Sequence, residues 1–358
     1  MAADGPSRPP NRTQQLAQRR SELRDLGYRV RGIPAAGASP ELAARREDLL
    51  RRVDAATSRV EKRLEARREL EGMAREGKAL VAEYRDPATS AARRAELRGE
   101  IERKKEAFGK RKEELKAEVA RTDPAKGAPD AEDPCAPCLE KDAKALEDDA
   151  RRENEKKLRD ARDLCDVKGT ADEADKELVA RELAKMPQEA LDEMKENGTR
   201  VAVCRGSVTD HKKDLSGFTP RGWPAGTDWK TVPGCYDNEK NEVIVATRGH
   251  GTPRGAHVPE WGDGHGAANL AIHEAYHAVD YRGGKISSTS GFGAVRQADY
   301  DHLPEYCHQP GEAGLEESYA EGAARYYGNP SDMQFDQPAI DGYFRGRPRG
   351  GAAAGDAK

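Results

Sequence analysis

The chain has 358 residues, of which 36% are hydrophobic, 5% are aromatic and 35% are charged. Apolar side chains are too few to fill a core of ordinary density along the whole length, which excludes one large globular domain. The net charge of -4 excludes the general attraction to nucleic acid that a basic chain would have. We therefore expect one modest globular domain together with elongated or disordered segments.

No apolar stretch that could form the core of a signal peptide occurs at the amino terminus, which reads MAADGPSRPPNRTQQ. A transmembrane helix would need a run of about 18 or more apolar residues, and the sequence contains none. The sequence therefore predicts no signal peptide and no membrane span. It leaves open a cytoplasmic location and secretion by a route that needs no signal peptide.

Residues 1–38 are rich in Pro, Gly, Arg and Ala. We expect them to be mostly disordered, with at most a short helix from about Thr13 to Leu26.

Residues 39–122 show a different pattern, because Ser39 and Pro40 are well suited to cap and begin a helix. Two apolar stripes with helical spacing follow, separated by a break at residues 85–87. The stripes comprise Leu49, Val53, Ala56, Val60 and Leu64, and then Leu97, Ile101, Phe108, Leu115 and Val119. This pattern predicts a helical hairpin or coiled coil that offers a surface to a protein partner. Its small surplus of positive charge favours a solvated helical face over nucleic-acid binding.

Residues 123–170 are predicted to form a charged linker followed by a polar helix. Cys135 and Cys138 have the CxxC spacing of a zinc knuckle or a redox pair. A second pair of ligands is missing nearby, so a structural or incidental role is favoured.

A pattern of β-strands begins after Arg200. Short apolar runs at residues 201–203, 233–236 and 242–247 predict three strands, the last two joined by a turn. We expect residues 243–247 to form the edge strand to which a substrate peptide adds.

Two helices are predicted in the last third of the chain, over residues 269–281 and 312–327. Residues 171–345 thus have the pattern of an α+β domain, a small mixed sheet backed by helices. Residues 346–358 are expected to be a disordered tail.

The first of these helices contains His273-Glu274-Ala275-Tyr276-His277, an HExxH motif. Residues four apart share one face of a helix, so both imidazoles can reach one metal ion. Zinc accepts neutral imidazole and leaves a position open for water. Glu274 lies beside that position, where it can take a proton from the water.

The third metal ligand is expected downstream. Glu317 and Glu321 stand four residues apart on the last predicted helix, so one can bind zinc while the other accepts a hydrogen bond from a ligand histidine. We assign Glu317 as the ligand and Glu321 as the supporting acid. Glu316, His302 and His308 are weaker alternatives.

These residues also resemble a known family. The motif His273-Glu-Ala-Tyr-His-Ala-Val-Asp280, followed by Glu317-Ser-Tyr-Ala-Glu321, is similar to the catalytic domain of the anthrax lethal factor group of gluzincin metallopeptidases. That group carries His-Glu-x-x-His-Ala-Val-Asp and then Glu-x-x-Ala-Glu. The stretch from Arg221 to Gly234 is also similar to bacterial domains of this kind. The resemblance covers roughly residues 187–343.

The resemblance implies a bound zinc ion, peptidase activity on proteins or peptides, and a role as a bacterial toxin or effector. It implies that the two motif histidines and Glu317 bind the metal and that Glu274 is the general base. Glu321 and Asp280 are assigned to the groups that support the ligands.

The chain departs from the group at one position. A tyrosine seven residues before the liganding glutamate helps to stabilise the oxyanion in the group, but Pro310 stands there in this chain. Tyr306 and His308 are the candidates to replace it. Residues 1–180 do not resemble the part of lethal factor that binds protective antigen, so neither its delivery route nor its substrate is carried over.

Two functions follow from these observations. The first is an active zinc endopeptidase. The second is an interaction protein whose helices bind a partner while the zinc domain is structural or catalytically weak. A structural zinc site has four protein ligands and needs no base. Three ligands beside Glu274 therefore favour the peptidase.

Overall fold

The computed structural model describes residues 11–121, 136–219, 226–328 and 333–346. The chain divides into two compact units. The helical unit comprises Met1–Ile33 and Ala44–Asp148, and the second unit comprises Pro34–Ala43 and Asp149–Lys358. In the described part of the chain, none of the helices has the length and apolar character needed to cross a membrane.

The first four helices are α1 (Arg12–Arg31), α2 (Pro40–Arg85), α3 (Ala91–Arg121) and α4 (Ala136–Leu164). Helices α2 and α3 form the predicted hairpin. Ion pairs join Glu83 to Arg93, Glu76 to Lys104 and Glu69 to Arg111, so the partners move apart in sequence as the helices run antiparallel.

The apolar stripes of the hairpin lie largely inside the helical unit. All five residues of the first stripe are buried, as are Leu97 and Leu115 of the second. Ile101 and Phe108 are half-buried, and the side chain of Val119 lies outside the described residues.

The expected disorder of residues 1–38 is wrong for most of that segment. Asn11 and Gln14 form a capping box at the start of α1, and Leu23, Leu26 and Val30 are buried. The apolar residues of α1 are few, but a short buried stripe is sufficient when a neighbouring helix covers it. Residues 1–10 lie outside the described part of the chain.

The second unit contains a four-stranded mixed sheet. Its strands are β1 (Cys165–Val167), β2 (Arg200–Arg205), β3 (Gly234–Asp237) and β4 (Glu242–Thr247), in the spatial order β1-β2-β4-β3. Strands β1 and β2 pair in parallel, as do β2 and β4, whereas β3 runs antiparallel to β4. The predicted α+β class and the strand, turn and strand of residues 233–247 are confirmed.

The assignment of residues 243–247 as an edge strand is wrong, because β4 lies between β2 and β3. Val243 and Val245 are buried in the main core, and Ile244 and Ala246 are buried on the opposite face of the sheet. An uninterrupted apolar run is typical of an interior strand covered on both faces. The turn folds β3 back onto the outer side of β4, and β3 becomes the edge.

The predicted domain start at residue 171 is too late. Strand β1 belongs to the sheet, and Ala161, Leu164 and Cys165 are part of the main core of the second unit. The buried Lys157 also donates to the carbonyl oxygens of Gly37 and Met186. A strand of three residues is too short to give a periodic signal, so residues 165–167 read as part of a linker.

The described residues of the second unit contain seven further α-helices: α5 (Glu173–Leu183), α6 (Gln188–Glu196), α7 (Leu270–Arg282), α8 (Ser290–Ala298), α9 (Glu312–Ala323), α10 (Met333–Asp336) and α11 (Pro338–Gly346). Helix α7 lies between the sheet and α9, with Leu270, Ile272 and Ala275 in the main core. The predicted helix over residues 269–281 is thus confirmed. Residues 347–358 of the expected disordered tail lie outside the described part.

Cys138 is disulfide-bonded, and Cys135 lies outside the described residues. The remaining cysteines are free thiols: Cys165, Cys204, Cys235 and Cys307.

Candidate metal centre

Helix α7 carries the HExxH motif and is fixed at its first turn. The Asn269 side chain accepts from Ile272 N as a helix cap and donates to the Glu182 carboxylate of α5. The motif begins one turn later, where His273 is 2% exposed and Glu274 is 4% exposed. The helix therefore presents its functional groups from a rigid and largely buried position.

The three predicted ligands converge. His273 Nε2 lies 3.1 Å from His277 Nε2 and 3.2 Å from Glu317 Oε2, and His277 Nε2 lies 3.7 Å from the same oxygen. Ligand atoms about 2.1 Å from a zinc ion at tetrahedral angles are about 3.4 Å apart. The observed triangle therefore fits zinc, and two imidazoles with one carboxylate are a donor set that zinc accepts.

Within the described part of the chain, His273, His277 and Glu317 form a group of side chains that could hold a metal ion. The alternative ligands are elsewhere. His308 Nε2 donates to Tyr300 O at 2.8 Å, with the two rings stacked. Glu316 Oε1 lies 3.3 Å from Lys285 Nζ, and His302 is exposed.

Glu321 lies behind the first histidine. Its Oε2 lies 3.5 Å from His273 Nδ1, at the long limit of a hydrogen bond, and its carboxylate accepts from Ala268 N. Glu321 is 1% exposed. A supporting role for Glu321, in which its carboxylate orients the His273 imidazole, stays a prediction.

Asp280 is bonded to the turn that follows α7. Its two oxygens accept from Ser287 N at 2.7 Å and Ser287 Oγ at 2.6 Å. Burial raises the pKa of Asp280, against the lowering by Ser287 and His277. A supporting role for Asp280 behind the metal ligands stays a prediction.

Glu274 lies against the edge strand. A Cβ added to Gly234 would stand 2.8 Å from Leu270 Cδ1 and 3.1 Å from Glu274 Cγ, so β3 approaches α7 as closely as a glycine allows. Burial raises the pKa of the Glu274 carboxyl, whereas the two motif histidines lower it.

The two candidates for the oxyanion differ in position. Tyr306 lines the cavity, but its hydroxyl donates to Gly266 O at 3.2 Å and its ring centroid lies 6.1 Å from that of His273. Burial raises the pKa of Tyr306 well above its usual value. The assignment of His308 is wrong, because its bond to Tyr300 keeps it out of the cavity.

His265 was missed by the sequence reasoning. It precedes the HExxH helix in the segment Gly264-His265-Gly266, and its Nε2 lies 3.7 Å from Glu274 Oε1. The available signal was a third histidine, eight residues before His273, in a loop rich in Gly and His.

The three predicted ligands line a cavity of about 640 Å³. Its walls are the edge strand, α7, the start of α9 and the loop before α7. Aromatic or charged residues on the walls include Trp229, Tyr236, Tyr281, Lys285 and Glu312.

Comparison with known proteins identifies the family. The model of the family "Anthrax toxin lethal factor, N- and C-terminal domain" matches residues 154–334, slightly more than half of the chain. The chain belongs to this family. The resemblance predicted from the motif residues is confirmed, although residues 221–225 of the similar upstream stretch lie outside the described part.

Two relatives are named Pro-Pro endopeptidase. The one from Paenibacillus alvei is 34% identical over 105 residues, covering 28% of this chain and 43% of the relative. The one from Clostridioides difficile is 30% identical over 116 residues, covering 32% of this chain and 47% of the relative. This chain therefore spans less than half the length of these relatives.

A solved structure of the Pro-Pro endopeptidase from Paenibacillus alvei is also similar. It is 25% identical, with a TM-score of 0.43, and the match covers 52% of this chain and 97% of that chain.

Proposed function

We propose that the second unit is a zinc-dependent metalloendopeptidase. The observation that carries the proposal is the convergence of His273 Nε2, His277 Nε2 and Glu317 Oε2 beside a buried Glu274, at the base of an open cavity. Family membership and the names of the two relatives support it.

The reaction would use the chain's own groups as follows. A zinc ion held by the three ligands would acidify a water molecule and polarise the scissile carbonyl. Glu274 takes a proton from the water as its oxygen attacks the carbonyl carbon. The carbon–nitrogen bond then breaks, and Glu274 returns that proton to the leaving amine.

Strand β3 would bind the substrate backbone. Pro233 O accepts from Ala246 N, and Cys235 pairs with Ile244 across the ladder. In an antiparallel pair the intervening residues direct their main-chain groups away from the partner strand. Gly234 and Tyr236 therefore offer N–H and C=O groups on the outer side of the sheet, where an extended peptide can add a strand.

The first substrate to test is a peptide with adjacent prolines. The support is the name of the two relatives together with Trp229, Tyr236 and Tyr281 on the cavity wall. Proline rings are apolar and rigid, so aromatic walls can bury them at little entropic cost. A role as a bacterial toxin or effector is proposed from the family alone.

The interaction-protein alternative receives less support. A structural zinc site would be closed by a fourth protein ligand, whereas the cavity reaches His273, His277 and Glu317 directly. Binding of a protein partner by α2 and α3 stays a prediction.

The test compares wild type with Glu274→Gln on a peptide library that includes Pro-Pro sequences. We expect Glu274→Gln to keep its zinc and to hydrolyse about 100 to 10,000 times more slowly, because an amide cannot accept the proton. His273→Ala should lose the zinc as well, and the exposed His302→Ala should match wild type. Equal hydrolysis by Glu274→Gln and wild type would contradict the mechanism.

A further inference from the structure

The proposed reaction sets the direction in which a substrate peptide crosses the cavity. Gly234, at the start of β3, lies against Glu274. Tyr236, two residues later, lies beside Tyr281 near the end of α7, with 6.1 Å between the ring centroids. Glu274 gives its proton to the leaving amine, so the residues that follow the scissile bond continue past Gly234 toward the segment before β3. The residues that precede the bond lie at the Tyr236 end.

Two short segments of the chain form the cavity wall on the side of the residues after the scissile bond. Residues 229–232, just before β3, contribute Trp229 and Val232, and residues 263–266, just before α7, contribute Gly266. An extended peptide advances about 3.4 Å per residue, so its second and third residues after the bond would pass these two wall segments. Neither segment belongs to a strand or an α-helix, and contacts from elsewhere must therefore hold both in place.

Arg248 makes such contacts with both wall segments. It follows the interior strand β4, and its backbone N and O each bond to His257 at 2.9 Å. Its guanidinium donates to Thr231 O in the first segment, to Asp263 O in the second, and through Nε to Gly206 O at 3.0 Å. One side chain on a fixed backbone thus joins three parts of the chain that are distant in sequence.

The guanidinium is suited to this position by its shape. It carries five N–H donors in a rigid planar fork, whereas a lysine has a single nitrogen at the end of a flexible stem. Burial lowers the pKa of Arg248, and hydrogen bonds from an ionised donor are strong in such a place. A Cβ on Gly264 would collide with the guanidinium, so the backbone of the second wall segment lies directly against it.

From these contacts we infer that Arg248 is a positioning residue, which fixes both wall segments for the substrate residues that follow the scissile bond. The inference rests on the proposed peptidase function. Arg248 acts on the substrate through residues 229–232 and 263–266 and takes no part in breaking the bond.

The experiment measures kcat/KM and zinc content of full-length wild type and Arg248→Lys with two peptides taken from a sequence that wild type cleaves in the library. Both share the residues before the scissile bond. The short peptide ends, as an amide, at the first residue after the bond, and the long one continues for several residues. Misplacing a substrate by about 1 Å can lower a rate by about 100-fold. We expect kcat/KM of Arg248→Lys to fall by about 10- to 100-fold with the long peptide and to stay near wild type with the short one, with full zinc.

Arg254→Lys is the matched control for this substitution. Arg254 belongs to the same loop, but it pairs with the carboxylates of Asp263 and Glu260, which a lysine can also do. Arg254→Lys should therefore match wild type with both peptides.

A second pair of variants disturbs the same contact from its other side. Gly264 and Gly262 both have positive φ, at 80° and 93°, so alanine strains the backbone at either position. A Cβ on Gly264 meets the Arg248 guanidinium, whereas a Cβ on Gly262 meets no atom within 4 Å. Gly264→Ala should reproduce the selective loss with the long peptide, and Gly262→Ala should not. This pair decides the question if Arg248→Lys does not fold.

The inference would be overturned by unchanged hydrolysis of the long peptide, or by an equal loss with both peptides, which would show a structural role only. A selective loss in Arg254→Lys or Gly262→Ala would also overturn it, since the whole loop would then be sensitive. A wild type that cleaves no peptide of the library, or that equals Glu274→Gln, would instead overturn the proposed function.

Discussion

The two units differ in where they keep their charged side chains. In the helical unit the ion pairs of Arg93, Lys104 and Arg111 join side chains of the hairpin that are 32% to 61% exposed to solvent. In the second unit His273, Glu274, Asp280 and Glu321 are all buried. A surface pair contributes little to stability, whereas a buried polar group is costly unless it has a defined partner. The charged side chains therefore lie at the surface in one unit and in the buried candidate metal centre in the other.

Buried polar groups of the second unit are joined across distant parts of the chain. Asp175 of α5 accepts from Arg205 and Thr247 at the ends of two strands, and its carboxylate lies 2.9 Å from His250 Nε2. Asn269 reaches from the start of α7 to Glu182. The unit is therefore sensitive to changes far from the metal ligands, which leads to the first prediction.

The largest expected effect comes from the position at which the second unit is cut. A fragment of residues 149–358 keeps β1 and the buried Leu164 and lacks only residues 34–43 of the second unit, whereas a fragment of residues 172–358 also loses β1 and Leu164. Losing one large buried side chain costs about 2–5 kcal/mol, out of a total stability of about 5–15 kcal/mol. We expect the longer fragment to unfold cooperatively and bind one zinc ion. The shorter one should do neither.

Circular dichroism during heating and metal analysis would check this. The comparison also tests the helical unit, because a longer fragment that hydrolyses peptide as full-length protein does would show that α1 to α3 are dispensable for chemistry. A shorter fragment that folds and binds zinc would show that the boundary predicted at residue 171 was sufficient.

Features that depend on residues close together in the sequence were predicted correctly, whereas features that depend on contacts between distant segments were not. The ligand positions of His273 and His277 depend on helix geometry over four residues, and the hairpin depends on a repeated stripe, so both are local. The interior position of β4 in the sheet, and the fact that β1 belongs to that sheet, depend on strand pairing between distant segments. Tyr306, His308 and His265 lie in loops whose paths are set by such packing, which explains one wrong assignment and one omission.

The next prediction concerns the groups behind the metal. Glu321→Gln should weaken zinc binding by about 10- to 100-fold, because an amide orients the His273 imidazole less well than a carboxylate does. Glu316→Gln, five residues earlier on α9, should leave zinc affinity unchanged, since its carboxylate pairs with Lys285. Competition with a fluorescent zinc chelator would measure both. Equal affinities in the two variants would remove Glu321 from the supporting groups.

The smallest effects are expected from two matched glycine substitutions, one in each unit. In the second unit, Gly234→Ala sets a methyl group 2.8 Å from Leu270 Cδ1 and 3.1 Å from Glu274 Cγ. Overpacking of this kind costs about 1–3 kcal/mol, and it should push β3 away from Glu274. We therefore expect a lower midpoint of thermal unfolding and a lower kcat/KM.

In the helical unit, Gly77→Ala should act in the opposite direction. Gly77 lies inside α2, and an added Cβ would meet no atom within 4 Å. Ala gives up less backbone entropy than Gly when a helix forms, so the variant should gain about 1 kcal/mol. Thermal unfolding of the full-length protein would show a midpoint above that of wild type, with zinc content and hydrolysis unchanged. If Gly77→Ala lowered the midpoint as Gly234→Ala does, α2 would be as tightly packed as the metal centre, and the contrast between a tolerant helical unit and a sensitive second unit would fail.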